Sequence, residues 1–225
     1  TNLADSCYNE MFKGCTALTQ APTLPAKALA TSCYAGMFQN CTNLTNAPAL
    51  PATTLTNACY YAMFQGCTGL IEAPALPATT MAKGCYSAMF YGCSGLTRLP
   101  ALPATNLAEN CYHYMFADCT GIKLDTEGPG TPWGIPLGAT EQPDWNRNML
   151  IGTGGAFTGE PEIGVTYFLL SIPAAPSGVS ASDGTFTNKI RITWNASEFA
   201  TGYSVWRHTA NSSAAATEVG STAGT

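Results

Sequence analysis

Apolar residues return at a fixed interval over the first half of the chain, and residues 53–78 show one copy of the pattern. After the threonine pair Thr53 and Thr54, apolar residues fall at i, i+4, i+5, i+8, i+9 and i+12: Leu55, Cys59, Tyr60, Met63, Phe64 and Cys67. On a helix these positions form a single stripe. The pattern predicts a helix of about three turns, capped by Thr53 or Thr54 and ended by Gly66.

A second apolar pattern follows each predicted helix. Leu70, Ala73 and Leu76 have counterparts in the other copies, at Leu18, Ala21 and Leu24, at Leu44, Ala47 and Leu50, and at Leu96, Leu99 and Leu102. We expect a short strand here, parallel to its counterparts, because such an arrangement turns these side chains inward. Pro74 limits its length, since proline donates no backbone hydrogen bond. Strands of about three or four residues are therefore predicted.

The cysteines show the period most clearly. First cysteines lie at positions 7, 33, 59, 85 and 111, and second cysteines at positions 15, 41, 67, 93 and 119, so the period is 26 residues and the offset eight. A fixed period of this length is typical of proteins whose units stack on their neighbours. Met63, Phe64 and their counterparts are predicted to be buried between helix and sheet.

Residues 123–172 lose the period, and we interpret them as a degenerate last repeat that caps the stack. Met149-Leu150 followed by Gly152 resembles a degenerate copy of the Met-Phe-x-Gly segment of the repeat. Residues 163–170 are predicted to form a strand. Trp133 and Trp145 are predicted to pack within this cap. Residues 173–176, Pro-Ala-Ala-Pro, mark a boundary, after which three strands are predicted at 177–181, 189–195 and 202–207.

The repeat Cys-Tyr-x-x-Met-Phe-x-x-Cys-x-x-Leu, followed by Pro-x-Leu-Pro-Ala-Thr, resembles the BspA-like leucine-rich repeats of bacterial surface proteins. The resemblance implies a right-handed solenoid with a parallel sheet on one face and short helices on the other. It also implies surface display and a role in adhesion or recognition. Beyond residue 173, Pro-x-x-Val-x-Ala, Trp194 and Gly-Tyr-x-Val-x-Arg resemble the first half of a fibronectin type III domain, in which Trp194 lies in the core.

The predicted fold class is therefore an α/β repeat. Residues 1–122 form a leucine-rich-repeat solenoid of five copies, the first and last incomplete, 123–172 its cap, and 173–225 a truncated all-β sandwich. The opening Thr1-Asn2-Leu3-Ala4 matches residues 105–108 inside a later copy. We accordingly expect a monomeric module from a longer protein.

Composition narrows the classes of partner. The net charge is −5 and only 10% of the 225 residues are charged. This balance argues against nucleic acid, because phosphate binding requires clustered Lys and Arg. No apolar run reaches the ~20 residues of a membrane helix, so no membrane insertion is expected in this segment.

Ten cysteines allow several chemistries. Because the two cysteines of each copy are eight residues apart, the cysteines form two columns along the stack. Four of them then do not converge on one point as zinc ligands must, which argues against a zinc site. A disulfide within one copy is also disfavoured, because eight helical residues separate the two ends by ~12 Å. Two alternatives stay open: reduced, buried cysteine ladders, which we favour, and disulfides between adjacent copies.

Catalysis and cofactors are not predicted. His113 lies two residues after Cys111, but its position is occupied by four different residues in the other copies, Asn9, Ala35, Tyr61 and Ser87, which suggests an exposed site. Asp125 and Glu127 begin a calcium-ligand pattern that nothing completes. The prediction is a protein that is not an enzyme, with no metal and no cofactor.

What remains is the surface. The clearest variable column follows the strand leucine and consists of Gln20, Asn46, Glu72 and Arg98. These residues, called the polar column below, are the candidate partner-binding residues. The predicted function is a non-enzymatic extracellular recognition or adhesion module that binds a protein or glycan on host or neighbouring cells. The alternative is a spacer in a surface-borne or phage-borne adhesin, without a ligand of its own.

Overall fold

A computed structural model describes residues 3–170, 177–181, 192–195, 202–207 and 217–223. The chain divides into two compact units, Thr1–Leu170 and Ser171–Thr225. The described residues contain no α-helix and seven strands: β1 Leu124–Asp125, β2 Thr131–Trp133, β3 Tyr167–Leu169, β4 Ser177–Ala181, β5 Ile192–Asn195, β6 Gly202–Arg207 and β7 Thr217–Ala223. The predicted α/β class is wrong, and the described fold is mostly β.

The predicted helices are replaced by runs of consecutive four-residue turns. Within each run, alternate residues bond in two directions. Tyr61 N donates to Ala58 O within its own turn, at 3.1 Å, whereas Ala62 N donates to Ser87 O in the next copy, at 2.9 Å. A helix would direct both amides to its own preceding turn. Half of the amides here instead join one copy to the next.

The physical reason is a positive φ at every fourth residue of each run. Ala58, for example, has φ 51° and lies third in a turn closed by Cys59 N and Thr56 O at 3.3 Å, the position that a type II turn places in this region. A helix requires negative φ throughout, so it cannot continue through these residues. The full set is Ser6, Glu10, Gly14, Ser32, Gly36, Asn40, Ala58, Ala62, Gly66, Gly84, Ala88, Gly92, Asn110, Tyr114, Asp118, Asp144, Asn148 and Gly152.

A ladder of main-chain hydrogen bonds holds the stack together. Five bonds of 2.7–3.2 Å join each run to the next, from residues 6–14 through to the sixth run at residues 143–151. Buried amides and carbonyls are costly when unpaired. The ladder satisfies them between copies, and so it fixes the register of each copy on its neighbour.

The core lies beneath these turns. Met63 and Phe64 are fully buried, as predicted, and so are their counterparts in the second, fourth and fifth copies. They lie beneath turn runs, however, and not between a helix and a sheet as predicted. In the first copy Met11 is 57% exposed. Two columns of stacked rings run through the core with centroid separations of 5.5–6.2 Å: Tyr8, Tyr34, Tyr60, Tyr86 and Tyr112, and Phe12, Phe38, Phe64, Phe90 and Phe116.

The predicted parallel strands of three or four residues are also wrong. Leu70 and Leu76 are buried, but the backbone around them forms only single-residue parallel bridges to neighbouring copies. The prolines explain this, because Pro74 and Pro77 lack the amide that a ladder needs. Residues 3–170 contain neither a helix nor a continuous parallel sheet, so the leucine-rich-repeat solenoid that the resemblance implied is not their fold.

Residues 123–170 cover the far side of the fifth copy. Strands β1 and β2 pair antiparallel with β3, in the register Leu124↔Leu169 and Trp133↔Tyr167. Strand β3 is shorter than the predicted 163–170, because Ile163 instead makes a parallel bridge to Ile135.

Both tryptophans of this region are buried, as predicted. Trp133 Nε1 donates to Pro100 O at 2.9 Å, and the Trp145 ring meets Tyr112 edge-on at 6.3 Å. The outward amide of Asn148 in the sixth run donates to Glu160 Oε1 at 2.9 Å. A glutamate side chain thus accepts a hydrogen bond from an amide of the last turn run that the structure describes.

The second compact unit contains two antiparallel pairs, β4 with β5 and β6 with β7. Strands were predicted where β4, β5 and β6 lie, although residues 189–191, at the start of the second predicted strand, lie outside the described residues. Strand β7 was not predicted. Trp194, predicted to be a core residue, is half-buried and packs on Tyr203 with ring centroids 5.3 Å apart.

Candidate functional site

The polar column lies at the solvent-facing edge of the stacked copies, and all four of its side chains are exposed. Gln20 bridges Asn46, and Glu72 bridges Arg98, both in parallel register. Backbone bonds beside the column hold each pair, from Thr45 N to Thr19 O at 3.3 Å and from Thr97 N to Ile71 O at 3.0 Å. The structure therefore brings the predicted residues together as two pairs.

The column is interrupted in its middle. No bridge joins Asn46 to Glu72 among the described residues. The hydroxyls of Thr45 and Thr97 each reach the carbonyl of the preceding copy at 3.4 Å. Ile71 occupies the equivalent position between them and has no side-chain donor. It is instead 58% exposed and places an apolar side chain beside the break.

The two pairs offer different hydrogen-bonding groups. The amides of Gln20 and Asn46 both donate and accept. Arg98 Nη1 lies 3.4 Å from Glu72 Oε2, and these side chains are 70% and 64% exposed, so the pair stays open to a partner. Exposed ion pairs add little stability. The column can therefore recognise polar groups.

The position of His113, which also varies between the copies, was predicted to be exposed, and this is only partly correct. Asn9 and Tyr61 are exposed, but Ala35 and Ser87 are buried and His113 is half-buried. The position lies inside the turn runs, where the small side chains of Ala35 and Ser87 are buried and the larger Tyr61 is not. Variation between copies therefore does not prove exposure here.

Burial lowers the pKa of His113, and the nearby Arg147 guanidinium lowers it further, while Asp144 and Glu160 act in the opposite direction. The imidazole is therefore neutral near pH 7. His113 packs edge-on against Tyr114 with ring centroids 4.4 Å apart. This contact belongs to a group that the sequence analysis missed, formed by Tyr91, His113 and Tyr114 and called the aromatic cluster below.

All ten cysteines are free, and the eight in the second to fifth copies are buried. Each second cysteine of these copies donates from its thiol to the phenylalanine carbonyl of the preceding copy. The bonds join Cys41 to Phe12, Cys67 to Phe38, Cys93 to Phe64 and Cys119 to Phe90, at 3.0–3.1 Å. This position needs a small, mostly apolar side chain that can still donate, which cysteine supplies.

Burial also governs the acidity of these thiols. It raises the pKa of Cys59, Cys67 and Cys119 to about 12, and that of Cys111 to about 11. A reactive cysteine needs a lowered pKa and partial exposure. The buried thiols have neither, so their role is packing.

The other candidates provide no further chemistry. Asp125 Oδ1 accepts a hydrogen bond from Thr126 N at 2.7 Å, a local turn contact. Within the described ranges, no group of three or more His, Cys, Asp or Glu residues could hold a metal ion. Those ranges also contain no helix long and apolar enough to span a membrane.

Comparison of the chain with protein-family models, curated proteins and solved structures gives no match. The resemblance to BspA-like and fibronectin type III sequences therefore stays a prediction. The geometry of the described residues carries the functional argument.

Proposed function

We propose that the chain is a non-enzymatic extracellular recognition or adhesion module, displayed on a cell or particle surface, that binds a protein or glycan through the polar column. One observation carries the proposal: Gln20, Asn46, Glu72 and Arg98 are exposed and paired in register. Beneath them Leu44, Leu70 and Leu96 are buried, and Leu18 of the first copy is half-buried.

A rigid base matters for binding. Ordering side chains on association costs about 0.5–1.5 kcal/mol for each rotamer-rich group. The main-chain ladder and the bridges already fix the backbone within each pair of the column. Only the side chains of each pair then have to be ordered when a partner binds.

One observation favours a second candidate, a structural spacer. The ladder continues without interruption from the first run to the sixth. The repeats can therefore hold the two ends of the stack at a fixed distance without binding a ligand. In a spacer the polar column would be solvated, and its four residues would bind no specific partner.

Binding separates the two functions. We expect the variant Gln20→Ala, Asn46→Ala, Glu72→Ala, Arg98→Ala to lose at least about tenfold in affinity for host-cell or matrix-protein surfaces, because a lost polar contact costs about 0.5–1.5 kcal/mol and four are removed. Surface plasmon resonance and flow cytometry with the purified chain measure this change.

A matched control exists in the same stack. Thr54, Thr80, Asn106 and Thr140 form another exposed, parallel-bridged column, and replacing all four by alanine should leave binding unchanged. Equal losses in both variants, or no loss in the first, would remove the polar column as the binding site. A wild-type chain that binds none of these surfaces would favour the spacer.

A further inference from the structure

The aromatic cluster contains a strained residue. Tyr114 has φ 53°, in the left-handed region. The other copies place Glu10, Gly36, Ala62 and Ala88 at this position. A bulky residue at positive φ is uncommon, and such strain gathers at functional sites. Tyrosine at position 114 is therefore unfavourable for folding, which suggests that its ring has a role other than stability.

The rings of the cluster form the walls of a corner. Tyr91 and Tyr114 have centroids 6.2 Å apart and planes inclined at 67°. His113 and Tyr114 have centroids 4.4 Å apart and planes inclined at 61°. All three residues are half-buried, so each ring remains partly open to solvent.

Charged groups of both signs lie near this corner. The exposed Asp118 carboxylate raises the pKa of Tyr91 by hydrogen bonding and by its charge. Asp144 and Glu160 also act on the cluster, through His113. The nearby cation, Arg147, is ion-paired with Asp144 at 3.7 Å. The carboxylates therefore outnumber the cations around the rings.

We propose that the aromatic cluster, with Asp118, is a binding site for a cationic side chain, a lysine or arginine of a protein partner. Aromatic faces attract cations within about 6 Å of the ring centroid, and a carboxylate beside the rings adds a charged acceptor. Steeply inclined rings offer no level platform for the flat face of a sugar, whereas a cationic group can lie against the face of a single ring. The site is separate from the polar column and does not depend on it.

The other copies supply substitutions that the fold already accepts. Tyr114→Ala reproduces Ala62 and Ala88, and Asp118→Asn reproduces Asn40, which has φ 60°. Tyr114→Gly also removes the strain. We expect Tyr114→Gly to melt no lower than the wild type. A purely structural ring would instead lower the melting temperature when it is removed.

Binding is measured by NMR titration of the full chain with three capped tripeptides, Gly-Lys-Gly, Gly-Arg-Gly and neutral Gly-Gln-Gly. We expect the cationic peptides to shift the amides of residues 113–118 and to bind about fivefold more tightly than the glutamine peptide, since an exposed cation–π contact contributes about 1 kcal/mol. Tyr114→Ala should remove this preference. Asp118→Asn should weaken it, and added salt should weaken it in the wild type.

The exposed Tyr61 is the matched control, and Tyr61→Ala should keep the full preference. The proposal is overturned if the glutamine peptide binds as well as the lysine peptide, or if Tyr114→Ala keeps the preference. It is also overturned if cello-oligosaccharides shift residues 113–118 while the cationic peptides do not. Failure of the polar-column variant in the adhesion assay leaves this result unaffected, because the two sites share no residue.

Discussion

Replacing Phe64 by alanine is expected to lower the free energy of unfolding by about 3–5 kcal/mol, the usual cost of truncating a buried phenylalanine. Phe64 is fully buried and its ring stacks on Phe38 and Phe90, each at 5.6 Å. The truncation therefore opens a cavity and breaks the phenylalanine column in its middle. Urea denaturation followed by tryptophan fluorescence measures the loss.

Tyr61→Ala serves as the control, because Tyr61 lies in the same turn run but is 48% exposed. We expect its effect to stay within about 0.5 kcal/mol. A loss below about 1 kcal/mol for Phe64→Ala would mean that the buried face has been assigned wrongly.

The second large effect concerns thiol reactivity. In the native protein at pH 8 we expect iodoacetamide to label two cysteines, the exposed Cys7 and Cys15, and to spare the eight buried ones. Alkylation requires the thiolate, and a pKa of about 12 at Cys59 and Cys67 leaves very little of it at pH 8. Mass spectrometry of the intact chain counts the labels.

Unfolding the protein without reductant is the control. All ten cysteines should then react, because each is free. Fewer than ten labels would reveal disulfides between copies. More than two labels in the native state would show that the buried ladders open on the timescale of the reaction.

The core could be predicted from the sequence, but the backbone that carries it could not. Apolar spacing identified Met63, Phe64, Leu70 and Leu76 as inward-facing, and they are buried. The same spacing also fits a turn run, since a residue repeat of four keeps one face inward just as a helix does. The hydrophobic pattern predicts which side chains are buried, but it does not determine which carbonyls accept from the backbone amides of those residues.

A sequence signal for the turns was nevertheless present. The left-handed positions of the second copy are Ser32, Gly36 and Asn40, spaced by four residues. Glycine and asparagine tolerate this region better than most residues. Their recurrence at every fourth position is hard to reconcile with a helix, in which glycine is unfavourable.

The candidate sites were predictable to different degrees. Comparison of the copies found the polar column, because its exposed side chains vary while the leucines beneath them do not. The aromatic cluster escaped this comparison, since Tyr91 and Tyr114 belong to different copies and meet only through stacking.

Left-handed turns, joined by a main-chain ladder, build the stack that displays these surfaces. The double variant Ala58→Gly, Ala88→Gly tests this architecture most directly, because both alanines have positive φ, 51° and 53°. Relief of about 1–2 kcal/mol of strain per residue exceeds the entropy cost of glycine, about 0.5–1 kcal/mol. We therefore expect the double variant to be more stable by about 1–2 kcal/mol in urea denaturation. Ala35→Gly, at negative φ in the same kind of run, should instead be destabilised. A loss of about 2 kcal/mol for the double variant, the cost expected in a helix, would contradict the account.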